Sequence, residues 1–359
     1  MKWLSHIVLA GAIGCAFVWP EERCSEVPAY FPPTVFELPT SSADQQRAEL
    51  GRALFYDPIL SLDSTISCAS CHSPYHAFAH VDHALSHGIC DSIGTRNAPG
   101  LFNLAWSKIL MWDGAINHLD MQSIAPITHP DEMGESMAHV IQKLKRSKLY
   151  QDALASCWPG EEWESYHVLR VLSLFQSTLI SQSARYDAMR KGQVVFTPME
   201  SKGYAVFQQH CNQCHREPLF TTGELSNNGL PMDTLLRDEG AYKVLLTPAS
   251  KGMFKIPTLR NWAFTKPYMH DGRFHRIQDV LAHYRNGTYN TWPSNVRMNA
   301  PLRISEEESV ELMAFLKTLN DSAFVFDPSH QFPKHFFDHA KEKQKKSTKH
   351  INTQPNEII

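Results

Sequence analysis

The sequence predicts a mainly helical protein in which two similar helical domains pack together. Apolar residues recur at helical spacing along most of the chain, and no convincing series of alternating strands interrupts them. A short pattern, Gly-x-Ala-x-Phe, begins at Gly51 and again at Gly203, and each copy precedes a Cys-x-x-Cys-His sequence. The first cysteines of these sequences, Cys68 and Cys211, lie 143 residues apart, about the length of one domain. The full length of 359 residues also suits two domains of ordinary size.

Capping and breaking residues place the individual helices. Ser42 is predicted to open the first helix, with Gln45 completing a capping box, and Asp57-Pro58 ends it. A loop rich in Ser, His and Gly follows over 61–99, and irregular backbone of that length usually has a function or binds a cofactor. Further helices are predicted over 163–181, 199–209 and 276–285. Ser305 and Glu308 cap a final helix that runs to about Leu319.

The two ends of the chain carry different signals, and the formal net charge of −3 gives no reason to expect a nucleic-acid partner. A basic start and an apolar run that is short for a membrane span indicate an export leader over 1–20 and a periplasmic protein. The residues before Cys15 resemble a lipoprotein cleavage site. Lipid attachment at Cys15, a plain cleaved signal and an uncleaved anchor all stay open. Residues 21–40 are predicted to be a linker, and the basic tail 340–359 is predicted to be disordered.

The two Cys-x-x-Cys-His sequences carry the chemistry. Two thiols at this spacing can each form a thioether with one vinyl group of a haem, while the adjacent histidine ligates the iron. A redox dithiol would need a strand-to-helix setting without the following histidine, and a zinc ribbon would bring its cysteine pairs much closer together. Two covalent haems c are therefore predicted, attached at Cys68, Cys71, Cys211 and Cys214 with His72 and His215 as proximal ligands.

These motifs set the predicted domains, which are cytochrome c-like. The first haem domain spans 41–192 and the second spans 193–339, with a boundary near Gly192. With Cys15 assigned to the leader, Cys24, Cys90 and Cys157 remain. Their number is odd, so at least one of them is expected to be free or the pairing to be incomplete.

Five further short sequences occur in an order that resembles the bacterial di-haem cytochrome c peroxidase family, which includes the MauG-type oxidases. They are LFYDP at 54–58, RNAP at 96–99, WDG at 112–114, PTLRN at 257–261 and PYMHDG at 267–272. The similarity spans about residues 45–320. It implies an oxidoreductase in which the two haems have different roles.

The resemblance implies that the first haem is the one that reacts with peroxide. In typical members a loop histidine covers this haem until the second haem is reduced. His87 occupies the similar position, and a permanently open site is the alternative. Trp112 resembles the tryptophan between the two haems, which implies an electron relay. Gln122 and Glu132 fall at the family's spacing for the peroxide pocket, where a carboxylate can take a proton from one peroxide oxygen and return it to the other. Ala115 stands where the family commonly has arginine.

At the second haem the resemblance leaves the distal ligand open. His270 is expected near the haem propionates. Counting from His270, the position of the usual methionine is Tyr284, which matches the MauG-type pattern, and Met298 and Met269 are the alternatives. A phenolate would stabilise the oxidised iron and lower its potential relative to methionine.

A calcium ion between the domains is also implied by the resemblance. In the family it is held partly by an Asn side chain and by backbone carbonyls. The matching positions are Asn97, Thr265 and Pro267, and oxygen ligands of this kind suit calcium. A simple turn-capping role for Asn97 is the alternative.

Three functions follow. The first is a peroxidase that reduces hydrogen peroxide, with electrons that enter at the second haem from a small cytochrome c or copper protein. The second is a MauG-type oxidase that withdraws electrons from a partner protein, which Tyr284 favours. The third is a non-catalytic electron carrier with both irons six-coordinate. Members of the family are often dimers, and the sequence leaves open whether this chain forms a homodimer.

Overall fold

A computed structural model of the chain describes residues 27–287 and 301–338. Several predictions concern residues outside these ranges: the leader 1–20 with Cys15, the thiol of Cys24, the alternative iron ligand Met298 and the tail 340–359. They stay predictions.

The described residues are mainly helical, as predicted. Their α-helices, in chain order, are α1 Ser42–Tyr56, α2 Cys68–Cys71, α3 Leu119–Gln122, α4 Ile124–Thr128, α5 Met137–Arg146, α6 Lys148–Cys157, α7 Ser165–Thr178, α8 Arg185–Arg190, α9 Pro198–His210, α10 Tyr242–Leu245, α11 Ile277–Asn286, α12 Glu306–Lys317 and α13 Ser322–Val325. Within the same ranges, two short antiparallel strands, β1 Leu225–Ser226 and β2 Phe254–Lys255, form one ladder. None of the helices in the described part of the chain has the length and apolar character that a membrane crossing requires.

The predicted helices are present, with ends that differ slightly: the helix predicted over 163–181 spans Ser165–Thr178, and the last ends at Lys317 rather than Leu319. α12 follows Ser305, whose hydroxyl accepts the N–H of Glu308 while the Glu308 carboxylate accepts the N–H of Ser305. The predicted cap of α1 is wrong, because Ser41 rather than Ser42 precedes the helix. The Ser41 hydroxyl accepts the N–H of Asp44 at 3.1 Å and donates to its carboxylate at 2.8 Å. A carboxylate three residues after Ser41 therefore closes this turn, in place of Gln45.

The repeated Gly-x-Ala-x-Phe pattern marks two equivalent helix crossings. At Gly51 in α1, an added Cβ would lie 1.8 Å from the carbonyl oxygen of Val171 in α7. At Gly203 in α9, an added Cβ would lie 1.8 Å from the carbonyl oxygen of Glu311 in α12. Only glycine permits this approach of one helix backbone to another. The weak repeat in the sequence therefore reflects the same crossing pair of helices beside each haem motif.

Each crossing is surrounded by its own hydrophobic cluster. The first cluster includes Leu54 and Val171, and the second includes Phe207 and Phe315. The last described segment returns to the first cluster, since Phe336 is buried there. The described part of the predicted linker is also packed, because the N–H groups of residues 35 and 36 donate to the Ala105 carbonyl. Both termini of the described chain thus lie against the first helical unit.

Candidate haem-binding active site

Each Cys-x-x-Cys-His sequence presents its histidine in the same way. His72 Nδ1 lies 2.7 Å from the carbonyl oxygen of Phe78, and His215 Nδ1 lies 3.0 Å from that of Pro257. A carbonyl oxygen can only accept, so Nδ1 carries the proton and the ring's lone pair is on Nε2. Burial lowers the pKa of both imidazoles to about 4, which keeps them neutral. A neutral imidazole whose Nδ1–H is anchored is the form that ligates iron.

The turn after the first motif brings the Phe78 carbonyl to His72. Ala77 and Phe78 have φ of 50° and 59°, so the chain folds back through the left-handed region. That conformation costs roughly 1–2 kcal/mol for each non-glycine residue. Complete burial of the Phe78 ring, which packs edge-on against Phe55 and Phe175, offsets part of this cost.

The cysteines fit thioether attachment better than the alternatives. Burial raises the pKa of Cys68 and Cys211 to about 12 and that of Cys71 to about 11, whereas redox-active thiols have lowered pKa values. Across residues 27–287 and 301–338, no group of three or more His, Cys, Asp or Glu side chains is arranged to hold a metal ion. Cys90 is exposed and Cys157 is buried, and neither is in a disulfide.

A cavity of about 810 Å³ adjoins the second motif. Cys211, Cys214 and His215 all line it, and its walls are mostly apolar. Cofactor pockets have this size and this character. Two thiols, an oriented neutral imidazole and a cavity of cofactor size together fit a covalently attached haem.

Three residues predicted from the sequence meet in this cavity. Tyr284 lines it from α11, and Met269 and His270 line it from the loop before that helix. The sulfur of Met269 accepts a hydrogen bond from Asn228 Nδ2 at 3.5 Å. The His270 ring stacks on Phe254, with 3.6 Å between centroids, and burial lowers the pKa of His270. The structure therefore places both described candidates for the distal ligand at the second site.

Around the first motif, the structure brings Glu132 together with the loop that carries His87. Cys71 Sγ lies 3.5 Å from the carbonyl oxygen of His87, and the N–H of Ile89 donates to the Glu132 carbonyl at 2.8 Å. The Glu132 carboxylate is close enough to Cys68 and Cys71 for its charge to raise the pKa of both thiols. Burial in turn raises the pKa of Glu132. A half-buried carboxylate thus lies beside the first haem motif.

His87 has a partner that the sequence did not single out. Its Nδ1 lies 2.6 Å from Asp91 Oδ1, and its ring lies 4.8 Å from that of His83. Cys90 and Asp91 have φ of 53° and 59°, which turns the loop so that the carboxylate reaches the ring. A carboxylate on Nδ1 leaves the lone pair on Nε2, the arrangement found in metal-binding histidines.

Gln122 and Trp112 are held by separate hydrogen bonds. The amide of Gln122 donates to Met111 Sδ at 3.8 Å. Trp112 lines the large cavity, and its Nε1 donates to the Asn97 carbonyl at 2.8 Å. The carbonyl of Trp112 accepts the N–H of Lys255 at 2.6 Å. Trp112 is therefore held between a loop that follows the first motif and strand β2, which follows the second.

The three predicted calcium positions all face the cavity beside the second motif. Asn97, Thr265 and Pro267 all line it. Asn97 is buried, its side-chain amide donates to the Ala84 carbonyl at 3.0 Å, and its backbone N–H donates to the His270 carbonyl at 2.7 Å. These bonds tie the first loop to the segment that holds the other two positions.

Two arginines near the site form three ion pairs that the sequence did not predict. Arg96 donates to Asp113 at 2.7 Å and to both oxygens of Asp238, the nearer at 2.6 Å. Burial opposes ionisation of Asp238, but the Arg96 hydrogen bonds lower its pKa to about 2. Arg260 and Asp187 form a fully buried pair at 2.7 and 2.8 Å. Both arginines stand in the short sequences that resemble the family, whereas nothing in the sequence marked Asp187 or Asp238.

Comparison with known proteins identifies the family. Residues 45–195 match the family model described as di-haem cytochrome c peroxidase. The methylamine utilization protein MauG of Methylorubrum extorquens is 34% identical over 284 residues, which cover 76% of this chain and 78% of that protein. The chain belongs to the di-haem cytochrome c peroxidase family. The cytochrome c551 peroxidase of Nitrosomonas europaea is 28% identical over 286 residues, covering 76% of this chain and 79% of that protein.

A solved structure confirms the predicted fold. A MauG-like protein associated with microbial copper homeostasis matches with a TM-score of 0.77 at 27% identity, covering 87% of this chain and 99% of that chain. As a member of the di-haem cytochrome c peroxidase family, the chain is an oxidoreductase with two haems c. The prediction of a mainly helical haem protein of the peroxidase type is therefore confirmed.

Proposed function

We propose that this di-haem protein reduces hydrogen peroxide to water, H2O2 + 2 e⁻ + 2 H⁺ → 2 H2O, with electrons from a small cytochrome c or copper protein. The observation that carries the proposal is the half-buried Glu132 carboxylate beside the first haem motif. When bound, haem supplies the electron chemistry that breaks the O–O bond. The protein must then hold peroxide, exclude bulk water and move one proton between its two oxygens.

Glu132 is suited to move that proton. As a carboxylate it takes the proton from one peroxide oxygen, and as a carboxylic acid it returns the proton to the other oxygen, which leaves as water. Burial raises its pKa, so that both forms become accessible nearer to neutral pH. Gln122 is the last residue of α3, and α4 lies between it and Glu132 in the chain. It is proposed to line the same pocket. His87, oriented by Asp91, is proposed as the loop ligand of the first iron.

Steady-state turnover tests the proposal. The purified holoprotein, hydrogen peroxide and a reduced small cytochrome c are mixed, and oxidation of the cytochrome is followed optically. We expect two cytochromes oxidised for each peroxide consumed. Consumption of peroxide without donor oxidation, or no consumption above the protein-free rate, would contradict the proposal.

A second candidate function is oxidation of a partner protein in the MauG manner. The position of Tyr284 on the wall of the cavity beside the second motif favours it, because a phenolate ligand stabilises oxidised iron. The two functions separate when peroxide turnover with reduced cytochrome and oxidation of a protein substrate are both measured on wild type and Glu132→Gln. A peroxidase loses donor turnover in the variant, whereas an oxidase shows little donor turnover even in the wild type.

Replacing Tyr284 with methionine is expected to raise the midpoint potential of the second haem. A thioether favours reduced iron, whereas a phenolate favours oxidised iron. Spectroelectrochemical titration measures the change, and EPR of the oxidised protein reports the loss of the phenolate. Met269→Leu is the matched control, since Met269 lines the same cavity. If the control shifts the spectrum and Tyr284→Met does not, Met269 is the ligand.

A calcium ion is proposed at Asn97, Thr265 and Pro267, supported by their common position on the cavity wall. Oxygen donors of this kind suit Ca²⁺. Extensively dialysed protein is expected to retain calcium by atomic emission, and Asn97→Ala is expected to lose it. Wild-type protein free of calcium would contradict the proposal.

Export to the periplasm, the domain boundary and dimer formation are proposed from the sequence. The leader 1–20 is proposed to direct the protein to the periplasm, with lipid attachment at Cys15 as one outcome. The intact mass of the mature chain separates lipidation from plain cleavage. The division into domains at 192/193 and a homodimer are also proposed, and light scattering after size exclusion tests the latter.

A further inference from the structure

Lys255 is a cation in an unusual position. It lies in strand β2, paired with Leu225, and lines the large cavity beside the second haem motif. Its backbone N–H donates to the Trp112 carbonyl at 2.6 Å, which fixes the strand at this point. No carboxylate in the described part of the chain pairs with its ammonium group, and burial alone lowers the pKa of Lys255 to about 8.

The charges of the other cations near this cavity are stabilised by solvent or by carboxylates. Lys108 and Arg216 also line it, but both are exposed and therefore hydrated. Arg96 is neutralised by Asp113 and Asp238. Lys255 is thus less exposed than the first two and lacks the carboxylates that neutralise the third.

A half-buried ammonium without a counter-charge is unfavourable unless an anion reaches it. The cavity that Lys255 lines is the one that the haem of Cys211 and Cys214 fits. A haem carries two propionates, which are carboxylates at one edge of an otherwise apolar ring. We propose that the Lys255 ammonium binds a propionate of the second haem and is a positioning residue for that cofactor. This inference rests on the presence of two haems and is independent of peroxide as the substrate.

The position of Lys255 gives the interaction two consequences. Because the Lys255 backbone is bonded to Trp112, the ion pair would link the propionate edge of the second haem to the segment that carries Trp112. Because the ammonium is half-buried and its charge is only partly screened by water, it would stabilise the reduced, less positive state of that haem. Lys255 therefore contributes both to the placement of the second haem and to its potential.

Redox titration of the holoprotein tests the proposal without any peroxide. In Lys255→Met, which keeps the chain length and removes the charge, the midpoint potential of the second haem is expected to fall. The potential of the first haem is expected to change less. Lys255→Arg, which keeps the charge, should retain most of the wild-type potential. The propionate bending band in the resonance Raman spectrum should shift in Lys255→Met and return towards its wild-type position in Lys255→Arg.

Lys108→Met is the matched control, because Lys108 lines the same cavity but is exposed. It should leave both the potential and the Raman band unchanged. Equal shifts in Lys108→Met and Lys255→Met would overturn the proposal, since they would indicate a nonspecific effect of charge. An unchanged propionate band in Lys255→Met would overturn it as well. A purely structural role predicts lower haem content in both Lys255 variants without a shift in potential.

Discussion

Glu132→Gln is expected to lower donor-dependent peroxide turnover by about 10²- to 10⁴-fold, the usual contribution of a positioned general base. Glutamine keeps the size and polarity of the side chain but cannot take the proton from peroxide. The structural reason is the position of Glu132, half-buried beside Cys68 and Cys71. Stopped-flow mixing with peroxide and steady-state donor oxidation measure the loss. The haem content should equal that of the wild type.

The pH dependence of turnover provides a second measurement. Because burial raises the pKa of Glu132, the base form is lost at a higher pH than for an exposed glutamate. Turnover of the wild type should therefore rise with pH through this raised pKa and level off above it. In Glu132→Gln that rise should disappear, since no carboxylate titrates at this position.

Asp131→Asn is the control for this substitution. Asp131 precedes Glu132 in the chain and is exposed, so its removal changes the local charge without changing the pocket. Turnover at its plateau should stay close to that of the wild type. The rise with pH should remain but lie at lower pH, because the Asp131 charge contributes to the raised pKa of Glu132. If Asp131→Asn loses as much activity as Glu132→Gln, the effect is one of local charge and Glu132 is not the base.

Local patterns predicted the parts of this structure that depend on nearby residues. The capping box at Ser305 and Glu308 and the end of α1 at Asp57 involve residues a few positions apart, and both are confirmed. The predicted cap at Ser42 was wrong because Ser41 and Ser42 are adjacent and either hydroxyl could cap this helix. The choice depends on which hydroxyl meets a carboxylate, here that of Asp44.

The site residues also divide into those marked by nearby residues in the sequence and those that depend on contacts distant in the chain. The haem motifs could be identified because each packs two thiols and a histidine into five positions. Asp238 could not be identified, since it meets Arg96 across 142 residues of chain. The sequence likewise did not explain why Gly51 and Gly203 repeat, because the reason is a neighbouring helix backbone distant in the chain. Helices α5 and α6 were not predicted, although Val140 and Leu144 lie four residues apart on the buried face of α5.

The family resemblance identified two candidate site residues that the chain's own composition and residue spacing did not mark. Glu132 is an ordinary acidic residue in the sequence, and only its correspondence to the family's peroxide-pocket position singled it out. The structure adds an independent physical reason, because burial and the neighbouring cysteines make it unlike the exposed Asp131 beside it. Tyr284 is similar: helical periodicity placed it on an apolar face, and in the structure that face lines the cavity beside the second motif.

Replacing both Cys211 and Cys214 with alanine is expected to abolish donor-dependent turnover and to halve the haem content per chain. Without thioethers the second haem is no longer covalently held, while the first motif is unchanged. The cavity of about 810 Å³ would then have to fill with water or collapse. The cavity is open at its rim, where Lys108 and Arg216 are exposed, so water would enter and its apolar walls would lose the contacts of the haem. The helices around α9 and α12 should therefore lose fixed packing.

The pyridine haemochrome assay measures the haem content, and circular dichroism during heating measures the loss of packing. Cys157→Ala is the control, because Cys157 is buried in the first hydrophobic cluster and belongs to neither haem motif. It should retain two haems and full turnover. A double variant that contains half the haem yet oxidises the donor at the wild-type rate would show that electrons do not need the second site. In that case the first haem would have to accept electrons from the donor directly, and Trp112 would have no role as a relay between the two.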